Sequence, residues 1–156
     1  QVFARVAAAV PLSVPLTSFS ILFARYKGIL ESAVHGVRAV DTLRDGDRVL
    51  IAEGCTHHRQ CEDIGTMKLP GWIRKHTDKQ LAFDFTSGGG FAQELASYKL
   101  VVHCGGCMLG EREVLHRMQT AGTQAVPITN YGILIAYMQG ILARSVSLFP
   151  QIAALL

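Results

Sequence analysis

Short apolar runs alternate with longer amphipathic segments along most of this 156-residue chain. Runs of apolar and β-branched residues between turn-forming residues predict strands at residues 14–17, 49–52, 80–85, 100–102 and 126–129. Helical segments, several with apolar positions spaced three and four apart, are predicted at residues 1–10, 18–37, 71–75, 91–98, 111–120 and 132–144. Gly28 is expected to interrupt the second helix, and Asn130 to cap the last. This alternation indicates an α/β fold, with a parallel sheet flanked by helices.

Two polar stretches follow predicted strands directly, at the points where those strands end. The sequence CTHH occupies residues 55–58, and HCGGC occupies residues 103–107. Loops that follow parallel strands lie at the carboxyl edge of the sheet, where ligands bind in such folds. We therefore expect these two stretches to meet at that edge, together with the loop at residues 129–131.

The residue types in the two stretches indicate a metal site. Cys55, Cys104 and Cys107 supply thiolates, while His57 and His103 supply imidazoles, and zinc and iron–sulfur clusters are bound by such groups. Three thiolates would hold a cluster with one exchangeable iron, whereas the same thiolates with one histidine would complete a tetrahedral zinc site. The CxxC pair alone would suit a thiol–disulfide oxidoreductase, and buried inert thiols are the plain structural alternative. The spacing leaves these alternatives open.

Composition narrows the classes of function. Hydrophobic residues make up 49% of the chain and charged residues 17%, against roughly 25% charged in an average domain, so we expect extensive burial. The net charge of +3 comes with scattered basic residues, which gives nucleic-acid binding little support. The uncharged span at residues 6–24 contains Pro11 and Pro15, which would break a membrane-spanning helix, so no membrane segment is expected. The cysteine pattern favours a reducing cytoplasm over a disulfide framework.

These motifs strongly resemble the HydF family, the GTP-binding maturation scaffolds of FeFe-hydrogenase. The likeness lies in EGCTHH at residues 53–58, EDIG at 62–65, HCGGCML at 103–109 and VPITNYG at 126–132, and extends upstream through VPLTSFS at 14–20 and LFARYKG at 22–28. It implies a partial α/β dimerisation domain at residues 1–44, followed by an iron–sulfur cluster-binding domain at residues 45–156. The sequence contains no GxxxxGK[ST] phosphate loop, so we expect no GTP hydrolysis by this chain. The resemblance to a scaffold implies that the chain is not an enzyme.

The resemblance also implies a cofactor, a cargo and partners. It implies a 4Fe–4S cluster on Cys55, Cys104 and Cys107, with the fourth iron position open or weakly occupied. In the family this cluster is associated with carrying a di-iron precursor that is delivered to the apo-FeFe-hydrogenase. A homodimer is expected, with the apo-hydrogenase and the radical-SAM maturases as protein partners.

Other side chains near the expected cluster receive roles from the same resemblance. Glu62 stands at the place of a replaceable carboxylate ligand to the fourth iron, with Asp63 as its nearest rival. Cys61 is a weaker candidate for that position. His57 and His103 belong to the family motif, and we expect them to hydrogen-bond to the cluster sulfide or to the incoming ligand.

Overall fold

Four parallel strands form the centre of the part of the chain that the structure describes. The structure is a computed structural model that describes residues 2–54 and 63–156. The strands are β1 (Arg48–Ala52), β2 (Ala82–Thr86), β3 (Leu100–His103) and β4 (Ile128–Asn130). They form one sheet in the order β2-β1-β3-β4, with every neighbouring pair parallel. The predicted α/β fold with a parallel sheet is confirmed, and the four strands lie where four of the five predicted strands were placed.

Helices surround this sheet. They are α1 (Val2–Ala9), α2 (Phe19–Tyr26), α3 (Leu30–Val37), α4 (Leu69–Thr77), α5 (Glu111–Thr123), α6 (Tyr131–Met138), α7 (Leu142–Val146) and α8 (Pro150–Ala153). A 3₁₀ turn at Arg38–Thr42 follows α3, and a π-helical turn at Ile64–Lys68 precedes α4. Across the described ranges, no helix is both long enough and apolar enough to cross a membrane.

The two central strands are buried on both faces, which explains their uninterrupted apolar sequences. Every residue of β3, and every residue of β1 after Arg48, is buried. The strands also end level with one another, because Ala52 pairs with both Thr86 and His103, and His103 pairs with Asn130. The residues that follow the four strands therefore begin along one carboxyl edge.

Helix α3 packs directly on the edge strand β4. Thr129 donates its hydroxyl hydrogen to the carbonyl oxygen of Ala33 at 2.8 Å, so a strand side chain bonds the helix backbone. Gly36 lies against the strand backbone, and a Cβ atom there would stand 2.2 Å from the carbonyl oxygen of Ile128. Gly36 lies within the last turn of α3 and permits this close approach.

The strand predicted at residues 14–17 is wrong. This segment has no regular secondary structure, and Val14 is exposed. Proline removes a backbone donor at two nearby positions, and Arg144 binds the carbonyl groups of this region. Its Nη2 donates to the carbonyl oxygens of Pro11 at 2.7 Å and Val14 at 3.3 Å. The segment is thus held by a side chain from far along the chain instead of by a neighbouring strand.

The helix predicted at residues 91–98 is also wrong, because the backbone there bonds to side chains of another segment. The amide of Leu95 donates to the side-chain oxygen of Gln124 at 2.7 Å, and the amide nitrogen of Gln124 donates to the carbonyl of Gln93 at 2.7 Å. Phe91 and Leu95 are buried as separate anchors. The crossover from β2 to β3 is therefore an irregular segment.

Two long predicted helices are each divided at a glycine. Gly28 and Gly140 both have φ of +70°, a left-handed conformation that ends a helix and favours glycine. The interruption expected at Gly28 is confirmed, whereas the helix predicted over residues 132–144 ends at Met138 and resumes after the second glycine. The predicted cap is confirmed, since Asn130 Oδ1 accepts the amide hydrogen of Ile133 at 2.8 Å.

Substituting Gly36 by alanine tests the contact between α3 and β4. The added methyl group would clash with backbone atoms of Ile128, which cannot move aside as a flexible side chain could. We therefore expect Gly36→Ala to lower the free energy of unfolding by about 2 kcal/mol or more. The matched control is Gly122→Ala in α5, where a Cβ meets nothing within 4 Å, and which should raise stability by about 0.5 kcal/mol. Urea unfolding measures both, and equal stabilities of the two variants would contradict the close approach.

Candidate metal centre

The Cys104–Cys107 loop starts where β3 ends and remains attached to β1. The amide of Cys104 donates to the carbonyl of Ala52 at 2.8 Å, which continues the strand pairing by one residue. Gly106 has φ of +64°, so the loop turns through a left-handed residue between the two cysteines. Cys104 is half-buried, whereas Cys107 is exposed. The loop therefore presents one sheltered and one accessible sulfur.

Backbone amides from two separate segments point at the sulfur of Cys104. The amide of Gly54 lies 3.0 Å from Sγ, and the amide of Gly106 lies 3.4 Å from it. Hydrogen bonds of this kind stabilise the negative charge of a thiolate and are common around metal-bound sulfur. Gly54 directly precedes Cys55 in the sequence. The described segment that follows β1 is therefore in contact with the Cys104–Cys107 loop where it ends.

Gly54 fits this place because it has no side chain. A Cβ atom would stand 2.6 Å from Cδ1 of Leu109 and 3.4 Å from Sγ of Cys104. The segment after β1 and the loop after β3 thus touch without room for a methyl group. A close backbone approach of this type explains why glycine precedes the first cysteine.

The described chain resumes at the same edge of the sheet. Asp63 caps the π-helical turn, since its Oδ2 accepts hydrogen bonds from the amide and hydroxyl of Thr66 at 2.8 and 3.0 Å. A Cβ on Gly65 would stand 2.5 Å from both Glu53 Oε1 and the Tyr131 hydroxyl oxygen, so these groups converge. Residues that follow β1, β3 and β4 therefore meet at the carboxyl edge, as predicted from the topology.

His103 is buried behind the loop and is neutral at neutral pH. Burial lowers the pKa of His103 to about 4, while its hydrogen bond with the carbonyl of Cys104 opposes this shift and the charge of Arg117 adds to it. Nδ1 lies 2.6 Å from the Cys104 carbonyl oxygen, and Nε2 lies 3.1 Å from Nη1 of Arg117. Because arginine only donates, we assign Nε2 as the acceptor and Nδ1–H as the donor. The ring of His103 therefore binds the backbone of the loop at the carbonyl group of Cys104.

Arg117 is a buried residue behind the cysteine loop that was not identified from the sequence. Its side chain, only 1% exposed, donates to Glu113 Oε1 at 2.7 Å, to His103, and to the carbonyl of Gly88 at 2.7 Å. The guanidinium carbon also lies 5.1 Å from the ring centre of Phe91. A signal was present, because residues 114, 117, 118 and 121 follow one helical face and Glu113 stands four residues before the arginine.

Lys27 is a second buried cation that the sequence reasoning did not assign to the site. It is 5% exposed and lies at the end of α2, far from the loop in sequence. Its Nζ donates to the carbonyl oxygens of Gly106 at 2.6 Å and Leu109 at 2.5 Å, and lies 4.8 Å from the ring centre of Phe23. Lys27 and the pair formed by Arg117 and His103 therefore both hold the loop that carries the cysteines.

Several predicted site residues lie outside the described residues. These are Cys55, His57, Cys61 and Glu62, and their roles remain predictions. Within residues 2–54 and 63–156, no group of three or more histidine, cysteine or acidic residues is placed to hold a metal ion. The donors in the described loop are nevertheless of the type that iron–sulfur clusters use, because it presents two cysteine sulfurs and the amides of Gly54 and Gly106 are directed at one of them.

The fold and its site define an α/β domain with a parallel sheet, in which a loop carrying two cysteines follows β3. Two family models match the chain: the hydrogen maturase F tetramerization domain matches residues 31–148, and the hydrogen maturase F dimerization domain matches residues 1–28. The chain belongs to the hydrogen maturase F (HydF) family, and the resemblance found in its motifs is confirmed. No curated protein matches it.

Membership of this family indicates the general process in which the chain takes part. It implies a role in hydrogenase maturation, and the two matched models imply self-association. The matches change between residues 28 and 31, whereas the domain boundary after residue 44 remains a prediction.

Removing the charge of Arg117 tests the support behind the loop. Arg117→Met would leave the Nε2 of His103 and the carbonyl of Gly88 without their donor, so we expect the free energy of unfolding to fall by about 2–4 kcal/mol. Arg112→Met, on the exposed side of the same helix, should change it by less than about 0.5 kcal/mol. Denaturant unfolding of both variants decides the matter, and similar losses would show that Arg117 has no special supporting role.

Proposed function

We propose that this chain holds a 4Fe–4S cluster and serves as the carrier part of an FeFe-hydrogenase maturation scaffold. Membership of the hydrogen maturase F family supports the maturation role. The observation that carries the cluster proposal is the sulfur of Cys104, which faces amides from two segments, one of them from the residue just before Cys55. That arrangement suits a thiolate shared between two arms of one metal site.

In this proposal the ligands are Cys55, Cys104 and Cys107. A 4Fe–4S cluster with three protein thiolates supplies one iron whose remaining position exchanges its ligand. The backbone around the ligands would stabilise the bound sulfur, because the amides of Gly54 and Gly106 are directed at Sγ of Cys104. The close contact at Gly54 also keeps the end of β1 beside the Cys104–Cys107 loop. The exposed position of Cys107 puts this side of the site next to solvent, where a cargo would enter.

The fourth ligand is proposed to be Glu62, a carboxylate that iron binds less firmly than thiolate. Such a weak ligand would give way to a di-iron precursor and would return when the precursor leaves. Asp63 is a poorer choice, because its Oδ2 already accepts two hydrogen bonds from Thr66. The chain would bind and release its cargo without converting it.

The proposed partners follow from that cargo. A carrier must receive the di-iron unit and give it up, so we propose the radical-SAM maturases as donors and the apo-FeFe-hydrogenase as acceptor. Self-association of the chain, at least as a homodimer, is supported by the dimerization and tetramerization models that it matches.

Anaerobic reconstitution with iron and sulfide tests the ligand set, and the four cysteines provide their own control. We expect the brown 4Fe–4S absorption, with about four iron and four sulfide per chain. Cys55→Ser, Cys104→Ser and Cys107→Ser should each lose most of it, whereas Cys61→Ser should keep it. A colourless protein with one tightly bound zinc would overturn the cluster, and equal losses in all four variants would overturn the three-cysteine assignment.

The fourth ligand is tested by electron paramagnetic resonance of the reduced, reconstituted chain. Glu62→Gln should keep the iron content and change the spectrum, because an uncharged amide binds iron more weakly than a carboxylate. Glu94→Gln, an exposed acid on the segment before β3, should leave the spectrum unchanged. An identical spectrum in Glu62→Gln and the wild type would remove Glu62 from the site.

A further inference from the structure

Lys27, at the end of α2, binds the Cys104–Cys107 loop through its ammonium group. Its ammonium group has three hydrogens and no acceptor, and each hydrogen has a place. Two are directed at the carbonyl oxygens of Gly106 and Leu109, and the third faces the ring of Phe23. One of these carbonyls lies between the two cysteines and the other just after them. The side chain therefore fixes both ends of the turn that carries Cys107.

The charge of Lys27 is buried, and its ammonium group is compensated by dipoles of the described residues. Within the described ranges, no aspartate or glutamate pairs with this ammonium group, and only 5% of the residue is exposed. A buried cation is costly unless nearby negative charge or dipoles compensate it. Two carbonyl dipoles and one ring supply part of that compensation. The thiolates of the same loop, once they bind metal, would supply the rest.

Lys27 and the cysteine loop lie in the ranges of two different family models. It lies within residues 1–28, which match the dimerization domain, whereas the loop lies within residues 31–148, which match the tetramerization domain. Helix α2 is thus connected to the loop across the junction between the two matches. Any movement of α2 away from the sheet would remove the ammonium group from the loop.

We propose that Lys27 is a positioning residue for the Cys104–Cys107 loop, and that its charge offsets the negative charge of the sulfurs bound there. The loop-positioning part stands on the contacts alone, while the charge part rests on the proposed cluster. In this way a residue of the dimerization segment shapes the metal loop of the following domain. A merely structural lysine would stabilise α2 but would leave the loop and the potential of a bound cluster unchanged.

Hydrogen exchange in the metal-free, reduced chain tests the positioning. Lys27→Met keeps most of the side-chain volume and removes the donors, so the amides of residues 105–109 should exchange at least about 10-fold faster. The matched control is Arg25→Met, which removes an exposed charge from the same helix and should leave these amides unchanged. Unchanged exchange in Lys27→Met, or the same acceleration in both variants, would overturn the proposal.

A measurement on the wild-type chain keeps the proposal testable if Lys27→Met does not fold. An ammonium group held by two carbonyls should give a slowly exchanging Nζ–H signal in nitrogen-15 NMR, identified by its contacts with the ring protons of Phe23. The absence of any slowly exchanging lysine ammonium in the wild type would overturn the proposed contact.

The midpoint potential of the reconstituted chain tests the charge. Lys27→Met should shift it to a more negative value than the wild type, and Arg25→Met should shift it less, because solvent and salt screen an exposed charge. Equal potentials in the wild type and Lys27→Met would overturn the charge role. Failure of the wild type to take up a cluster would instead overturn the proposed function, and the exchange experiment would still decide the positioning.

Discussion

The pairing of β1 with β3 is the constraint on which the rest of this structure depends. Their registers bring Ala52 opposite His103, and the amide of Cys104 extends the pairing by one bond to Ala52. Two segments about fifty residues apart in the sequence therefore leave the sheet side by side. The contact of the Gly54 amide with the sulfur of Cys104, and the absence of room for a Cβ there, follow directly from this register. A slip of one residue would turn the sulfur to the other face of the sheet.

Around this pairing, the loop is held by cations from two sides. Arg117 acts through His103, whose neutral ring donates to the carbonyl of Cys104, while Lys27 holds the carbonyls of Gly106 and Leu109. Both cations lie inside the protein, where electrostatic interactions are screened little by solvent. Their common effect is a loop whose backbone is fixed and whose surroundings favour negative charge. Such surroundings suit the thiolates of the proposed cluster.

The sequence predicted what depends on local pattern and missed what depends on distant partners. The four strands and the edge at which their loops meet followed from apolar runs and from the rules of parallel sheets. Val14 was misassigned because Arg144, about 130 residues away, determines the path of its segment. Leu95 was misassigned because its amide bonds to Gln124 on another element. Lys27 was overlooked for the same reason, since nothing in the sequence near α2 indicates that its ammonium group reaches the cysteine loop.

The cluster that we propose is asymmetric, with three irons on cysteine and one on a replaceable ligand. Mössbauer spectroscopy of the reconstituted chain, labelled with iron-57, tests it most directly. The account predicts three irons of one kind and one distinct iron, whose signal alone changes when an external ligand such as imidazole is added. Four equivalent irons, or a spectrum that the added ligand leaves untouched, would contradict it.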